Sequence, residues 1–171
     1  MKRFICVLAF IAVAMSAQAG VVSQGPSGFA VKYEADVAMA PAAAYEAFIK
    51  IGSWWGPDHT FSGDAKNMSM DLSPGGAWRE TLPNGGFVEH MRVVEASPGA
   101  TLVLSGGLGP MHFMGITGVM TIGFMAKDAG THVTMDFAGG GYDPEGFAKL
   151  PGIVDAVLGE QFKRFTEFVA Q

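Results

Sequence analysis

The hydrophobic period of this chain changes once, at Gly139-Gly140-Gly141. Before that point, short runs alternate apolar and polar residues, the pattern of half-buried strands. After it, Ile153, Val154, Val157, Leu158, Gln161, Phe162, Phe165, Phe168 and Val169 recur at helical spacing, with Glu160, Lys163, Arg164 and Glu167 mainly on the other side. An antiparallel sheet commonly buries one face and solvates the other, so it needs a cover. The long helix after the glycines supplies one. The fold class expected is therefore α+β: a curved antiparallel sheet wrapped around a long C-terminal helix, with a short helical segment after the first strand.

The turns divide the sheet region. Phe29, Val31, Tyr33, Ala35, Val37 and Met39 form one face of an opening strand, preceded by a Gly/Ser/Pro leader at 20–27. Pro41 then starts a helix over 42–50, where its missing N–H is harmless. Strands are expected over 67–72, 77–82, 87–95, 100–105, 117–126 and 131–137, separated by Gly, Pro, Asn and Asp clusters. Pro151 begins the final helix. Glycines at 115, 118 and 123 suit bends in the long strand, and a bent sheet gripping a helix leaves a cavity.

The ends bound the setting. Lys2 and Arg3 precede the apolar run Phe4–Met15, and Ala17-Gln18-Ala19 offers a small-x-small cleavage site. The run is too short for a bilayer core of roughly 30 Å, so it reads as a signal peptide (1–19) rather than an anchor. The expected product is a single domain over 20–171, periplasmic or secreted, with no stable membrane insertion after cleavage. The single cysteine, Cys6, lies in the signal, so the processed chain has neither disulfides nor thiol chemistry. A net charge of −5, made more negative by loss of Lys2 and Arg3, argues against nucleic acid as a partner.

Candidate chemistry gathers in two places. The loop 53–61 carries Trp54, Trp55, His59 and Phe61, too much apolar area to leave in water. Neighbours in extended chain point to opposite sides, so one Trp is expected in the core and the other at a cavity mouth. The second place is the hairpin around Pro83-Asn84-Gly85-Gly86. With Asn84-Gly85 as a two-residue turn, Trp78 opposes Met91, Glu80 opposes Glu89 and Leu82 opposes Phe87. That register sets two carboxylates against each other on an apolar wall, where one would be pushed toward protonation. His90 and His132 then fall among polar neighbours on the solvated face, whereas His112 and Tyr142 stand near the expected mouth. The histidines make no HxH or HExxH spacing, the glycine clusters lack a strand–GxGxxG–helix setting, and no GxSxG elbow occurs. No metal and no cofactor is therefore expected.

Three sets of residues carry a resemblance. They are Ile51-Gly52-Ser53-Trp54-Trp55-Gly56-Pro57-Asp58-His59, then Gly75-Gly76-Ala77-Trp78, then Gly85-Gly86-Phe87-Val88-Glu89-His90. With the Pro-initiated helix and the long final helix, they make the chain similar to the START-like, helix-grip superfamily (SRPBCC, polyketide cyclase/dehydrase and lipid transport). Within it, the chain resembles the branch related to the activator of the heat-shock-protein ATPase. The resemblance implies a cavity between sheet and last helix but no fixed catalytic set, since the superfamily spans carriers, cyclases, hydratases and chaperone regulators. The partner expected is a small hydrophobic or aromatic molecule, contacted by Trp54, Trp55, His59, Trp78, Glu80, Glu89, Met91, His112 and Tyr142. The alternative is a cyclase, dehydratase or isomerase using pocket carboxylates or a histidine as acid–base groups. A third reading, an interaction module with a filled core, would leave no cavity.

Overall fold

Apolar alternation and turn residues produce the elements in the order anticipated, with two exceptions that matter. The computed structural model describes residues 18–171. The expected signal lies outside the described residues except for Gln18 and Ala19. The elements are β1 (Gln18–Gly25), β2 (Gly28–Val37), α1 (Pro41–Ile49), β3 (Met68–Met70), β4 (Ala77–Thr81), β5 (Phe87–Ser97), β6 (Thr101–Gly106), β7 (Gly115–Lys127), β8 (Gly130–Tyr142) and α2 (Leu150–Val169). All strands pair antiparallel in one curved sheet of order β1-β2-β8-β7-β6-β5-β4-β3. The fold is α+β and helix-grip-like, with α2 along the inner face. None of the described helices is long and apolar enough to cross a membrane.

The first exception is the leader. Residues 20–25 belong to β1, an edge strand held to β2 by backbone pairing. The register shifts between Val21 and Ser23, and Val21 and Val22 are both exposed, so no alternation marks the strand in the sequence. The second exception is Gly139–Gly141, which continues β8 rather than ending it. Gly139 pairs with Phe29 on one side and Gly118 on the other. A Cβ at Gly118 would sit 2.5 Å from Phe137 Cζ, and one at Gly139 3.0 Å from Phe137 Cε1. The glycines make room for a buried ring.

The core fills the space between sheet and helices. Val154, Leu158, Phe162 and Phe165 of α2 are buried, whereas Ile153, expected in the same stripe, is exposed. Phe48 of α1 packs edge-on against Phe165 at 5.2 Å and Phe124 of β7 at 6.0 Å. Tyr33 ties β2 to α2: its ring lies 5.9 Å from Phe162 and its hydroxyl donates to the Asp155 carboxylate at 2.8 Å. Burial, then that carboxylate, pushes the Tyr33 phenol well above its ordinary range, so it stays a donor.

Candidate functional site

The site begins with the β4–β5 turn, which differs from the two-residue turn expected. Leu82 N–H donates to Gly86 O at 2.8 Å across a three-residue loop, with Asn84 (φ 60°) and Gly85 (φ 77°) both left-handed. Pairing above the loop therefore slips by one: Thr81 meets Phe87, Glu80 meets Val88, and Arg79 meets Glu89. A bulge between Trp78 and Arg79 restores Trp78 opposite Met91 and leaves His90 as the extra residue on β5. A one-residue slip exchanges faces. Glu80 points inward as expected, but Glu89 and Phe87 point outward, and the opposed carboxylates do not form. Glu89 instead accepts from Arg79 Nη2 at 3.1 Å and forms an ion pair with Arg92 Nη2 at 2.9 Å.

The same bulge corrects the reading of His90 as a surface residue. It is 2 % exposed, with Nε2 3.1 Å from Glu80 Oε2. Glu80 is 0 % exposed and also accepts from the N–H groups of Phe61 at 3.1 Å and Ser62 at 2.5 Å. Burial would raise the Glu80 carboxyl, but hydrogen bonds from Ser62, Phe61 and His90 together hold it below the usual carboxylate range. Burial pushes the His90 imidazole below its usual range, against the pull of Glu80 and with a smaller push from His112. The pair is thus an ionised carboxylate and a neutral imidazole. A carboxylate only accepts, so Nε2 carries the proton and Nδ1 is left a bare acceptor. Nδ1 is buried and has no hydrogen-bond partner among the described residues.

The aromatic loop is anchored at both ends. Gln161 Oε1 on α2 accepts the Gly56 N–H at 2.6 Å, and Arg164 Nε donates to Trp54 O at 3.0 Å. Glu80 fixes the other end through Phe61 and Ser62. Between these anchors the two tryptophans part. Trp54 enters the core, its Nε1–H donating to Phe48 O at 2.9 Å and its ring 5.4 Å from Phe165. Trp55 lies edge-on to Trp78 at 4.7 Å and donates to His59 O at 2.9 Å.

Trp55 also forms one wall of a cavity of about 340 Å³. The loop from Asp58 to Phe61 and the turn around Leu108 and Met111 form two more walls, α2 contributes Val154, Val157 and Leu158, and His90 lies in the lining. The lining is mostly apolar, with Asp58, His59, Thr60 and His90 as its polar side chains. His59 reaches Glu160 of α2 at 3.4 Å on the exposed side.

Of the other residues expected here, Trp78 and Met91 are core. The Trp78 ring lies 5.2 Å from the His90 ring, tilted by 38°. His112 is exposed, its ring 3.9 Å from Phe113 and 5.6 Å from Phe61, outside the cavity lining. Tyr142 is 74 % exposed and outside the cavity lining, bordering a neighbouring groove that shares Met114 and Ile153 with it. Sequence reasoning missed His90, Leu108, Met111 and the valines of α2. The α2 residues were legible as part of the helical stripe; His90 required the bulge. Among the described residues, no group of three or more His, Cys, Asp or Glu could hold a metal ion.

The chemistry available is an apolar chamber with one carboxylate-oriented imidazole on its wall. No protein-family model matches the chain, and neither does any curated protein sequence. Solved structures do resemble it. An uncharacterised protein from Rhizobium leguminosarum has a TM-score of 0.61 at 16 % identity, covering 92 % of this chain and 98 % of its own. A conserved protein of unknown function from Enterococcus faecalis gives 0.61 at 13 %, covering 91 % and 77 %. CalU16 from Micromonospora echinospora gives 0.56 at 12 %, covering 92 % and 87 %. At these identities the likeness shows a shared fold: an antiparallel sheet closed by a C-terminal helix.

Proposed function

We propose that the protein is an exported carrier of a small, largely apolar, aromatic molecule, held between the sheet and α2. The observation that carries this reading is the mostly apolar chamber of about 340 Å³ bordered by α2, the aromatic loop and His90. A pocket of that size lies in the range of small-molecule sites, and a cavity of roughly 150 Å³ already admits benzene. Family placement in the SRPBCC superfamily belongs to the same proposal, as does export by the segment that begins Lys2-Arg3. Cleavage after Ala19 would leave Gly20–Gly25 of β1 on the sheet edge.

The neutral fluorescent probe N-phenyl-1-naphthylamine tests the chamber directly. It should bind the native chain, and Val154→Trp, which fills the cavity from α2, should weaken it at least tenfold without loss of folding. Equal binding by both proteins sinks the carrier reading. N-terminal sequencing from the native host tests export, with Gly20 expected first. The Glu80–His90 pair favours a second reading, an enzyme using His90 as general base. Turnover of a bound ligand, lost in His90→Phe with binding kept, would select it.

A further inference from the structure

We propose that His90 is the specificity residue of this cavity, and that its free Nδ1 selects a neutral ligand hydroxyl, phenolic or enolic, over a carboxylate. The inference rests on the carrier reading and adds the ligand's polar group to it. His90 Nε2–H is spent on Glu80 at 3.1 Å, which fixes the ring, and Nδ1 is buried without a partner among the described residues. A buried acceptor left unpaired is destabilising, and a ligand O–H repairs it.

Charge decides between the two kinds of ligand. Among the described residues lining the cavity there is no Lys or Arg, and Asp58 stands in the wall with the ionised Glu80 behind His90. A ligand carboxylate would meet lone pairs and negative charge in an apolar chamber, an arrangement burial makes unfavourable. A hydroxyl donates where the site accepts. Phe61 lines the same cavity beside His90. Its ring lies 5.9 Å from His90, and it is itself 42 % exposed at the cavity rim.

Three bicyclic probes of nearly equal shape separate the outcomes: naphthalene, 2-naphthol and 2-naphthoate, compared at neutral pH by quenching of tryptophan fluorescence. On the native chain 2-naphthol should bind about five- to tenfold tighter than naphthalene, the effect of one net hydrogen bond, and 2-naphthoate weakest. His90→Phe should bring 2-naphthol down to the naphthalene level while naphthalene itself changes by less than about twofold. Naphthalene binding with no advantage for 2-naphthol, or with 2-naphthoate tightest, overturns the proposal and leaves the carrier reading standing. Binding of none of the three overturns both.

Should His90→Phe fail to fold, the native chain still decides. The His90 Nδ1 resonance in a 15N-labelled sample should move on saturation with 2-naphthol and stay with naphthalene. An Nδ1 resonance unmoved by saturating 2-naphthol overturns the assignment.

Discussion

The two faces of the β4–β5 hairpin hold the same kinds of groups and use them oppositely. On the outer face Glu89 lies between Arg79 and Arg92, all partly open to solvent. On the inner face Glu80 is fully buried with His90 and two backbone N–H groups. The outer cluster has water as an alternative partner for every charge. The inner pair has none, so its hydrogen bonds fix both the end of the aromatic loop and the imidazole orientation. A glutamate thus decorates one face and organises the other, and the three-residue turn, with the bulge beyond it, decides which glutamate does which.

The largest test of that contrast is Glu80→Ala. It strips the His90 Nε2–H and the N–H groups of Phe61 and Ser62 of their acceptor in one step. The buried His90 Nε2–H orphan costs about 1–3 kcal/mol and the two half-buried N–H groups less, so a loss on the order of 3 kcal/mol is expected in urea unfolding. Residues 58–62 should also lose amide-exchange protection. A loss below about 1 kcal/mol would put the inner pair in the same class as the outer one.

Acid titration should separate the faces next. Both His90 and Glu80 have folded values below their unfolded ones. The unfolded chain therefore binds more protons on the acid side, and stability falls as pH falls. His90's contribution is complete above its unfolded value near pH 6.5 and is lost below it, down to the lower folded value. Glu80's loss begins below about pH 4.3. The groups that bear on His90 are Glu80, His112, and Asp58 and His59 of the shared cavity wall. His90→Phe should flatten the slope that sets in below about pH 6.5, where the native chain begins to lose the His90 contribution. An unchanged slope would assign the acid sensitivity elsewhere.

The turn that sets the register gives a smaller effect. Gly85 has φ 77° with open space where a Cβ would go, so Gly85→Val meets backbone strain and no clash. About 1–2 kcal/mol should be lost. The Glu80–His90 contact should survive, visible as an unshifted His90 imidazole resonance. A shifted resonance would mean that the turn alone, without the bulge, holds the inner pair.

How far the sequence foretold all this depends on which device each segment uses. Strict alternation announced β2, and helical spacing announced α2, because both follow from burying one side of a regular element. β1 stayed hidden since an edge strand with a bulge needs only backbone partners. Gly139–Gly141 read as a break because nothing local reveals that Phe137 lies across the sheet glycines. Trp54 and Trp55 were legible as inward rings from their apolar area. Which of them would face the cavity depended on Phe48 O and His59 O, acceptors set by tertiary packing. Glu80 and Glu89 were both visible as candidates, but Pro83-Asn84-Gly85-Gly86 is compatible with turns of two or three residues. Each choice hands the interior to a different set of side chains.

The smallest expected effect completes the comparison from the outside. Glu89 accepts from Arg79 Nε at 3.2 Å and Nη2 at 3.1 Å and lies 2.9 Å from Arg92 Nη2 as an ion pair, a dense cluster by distance alone. The arginine side chains retain 43 % and 59 % of their exposure, and Glu89 23 %. At such exposure water competes for each charge, and ordering two long arginines offsets most of the attraction. Glu89→Ala should therefore cost less than about 1 kcal/mol, and salt near 1 M, where screening acts within about 3 Å, should remove most of that. Probe binding should not change, because Glu89 lies on the face away from the cavity. Urea unfolding of native, Glu80→Ala and Glu89→Ala chains at low and high salt measures the contrast in one experiment. If Glu89→Ala destabilises as much as Glu80→Ala, and salt leaves both losses intact, then burial is not what distinguishes the two glutamates. The outer cluster would then be a structural clamp on the bulge that turns His90 inward.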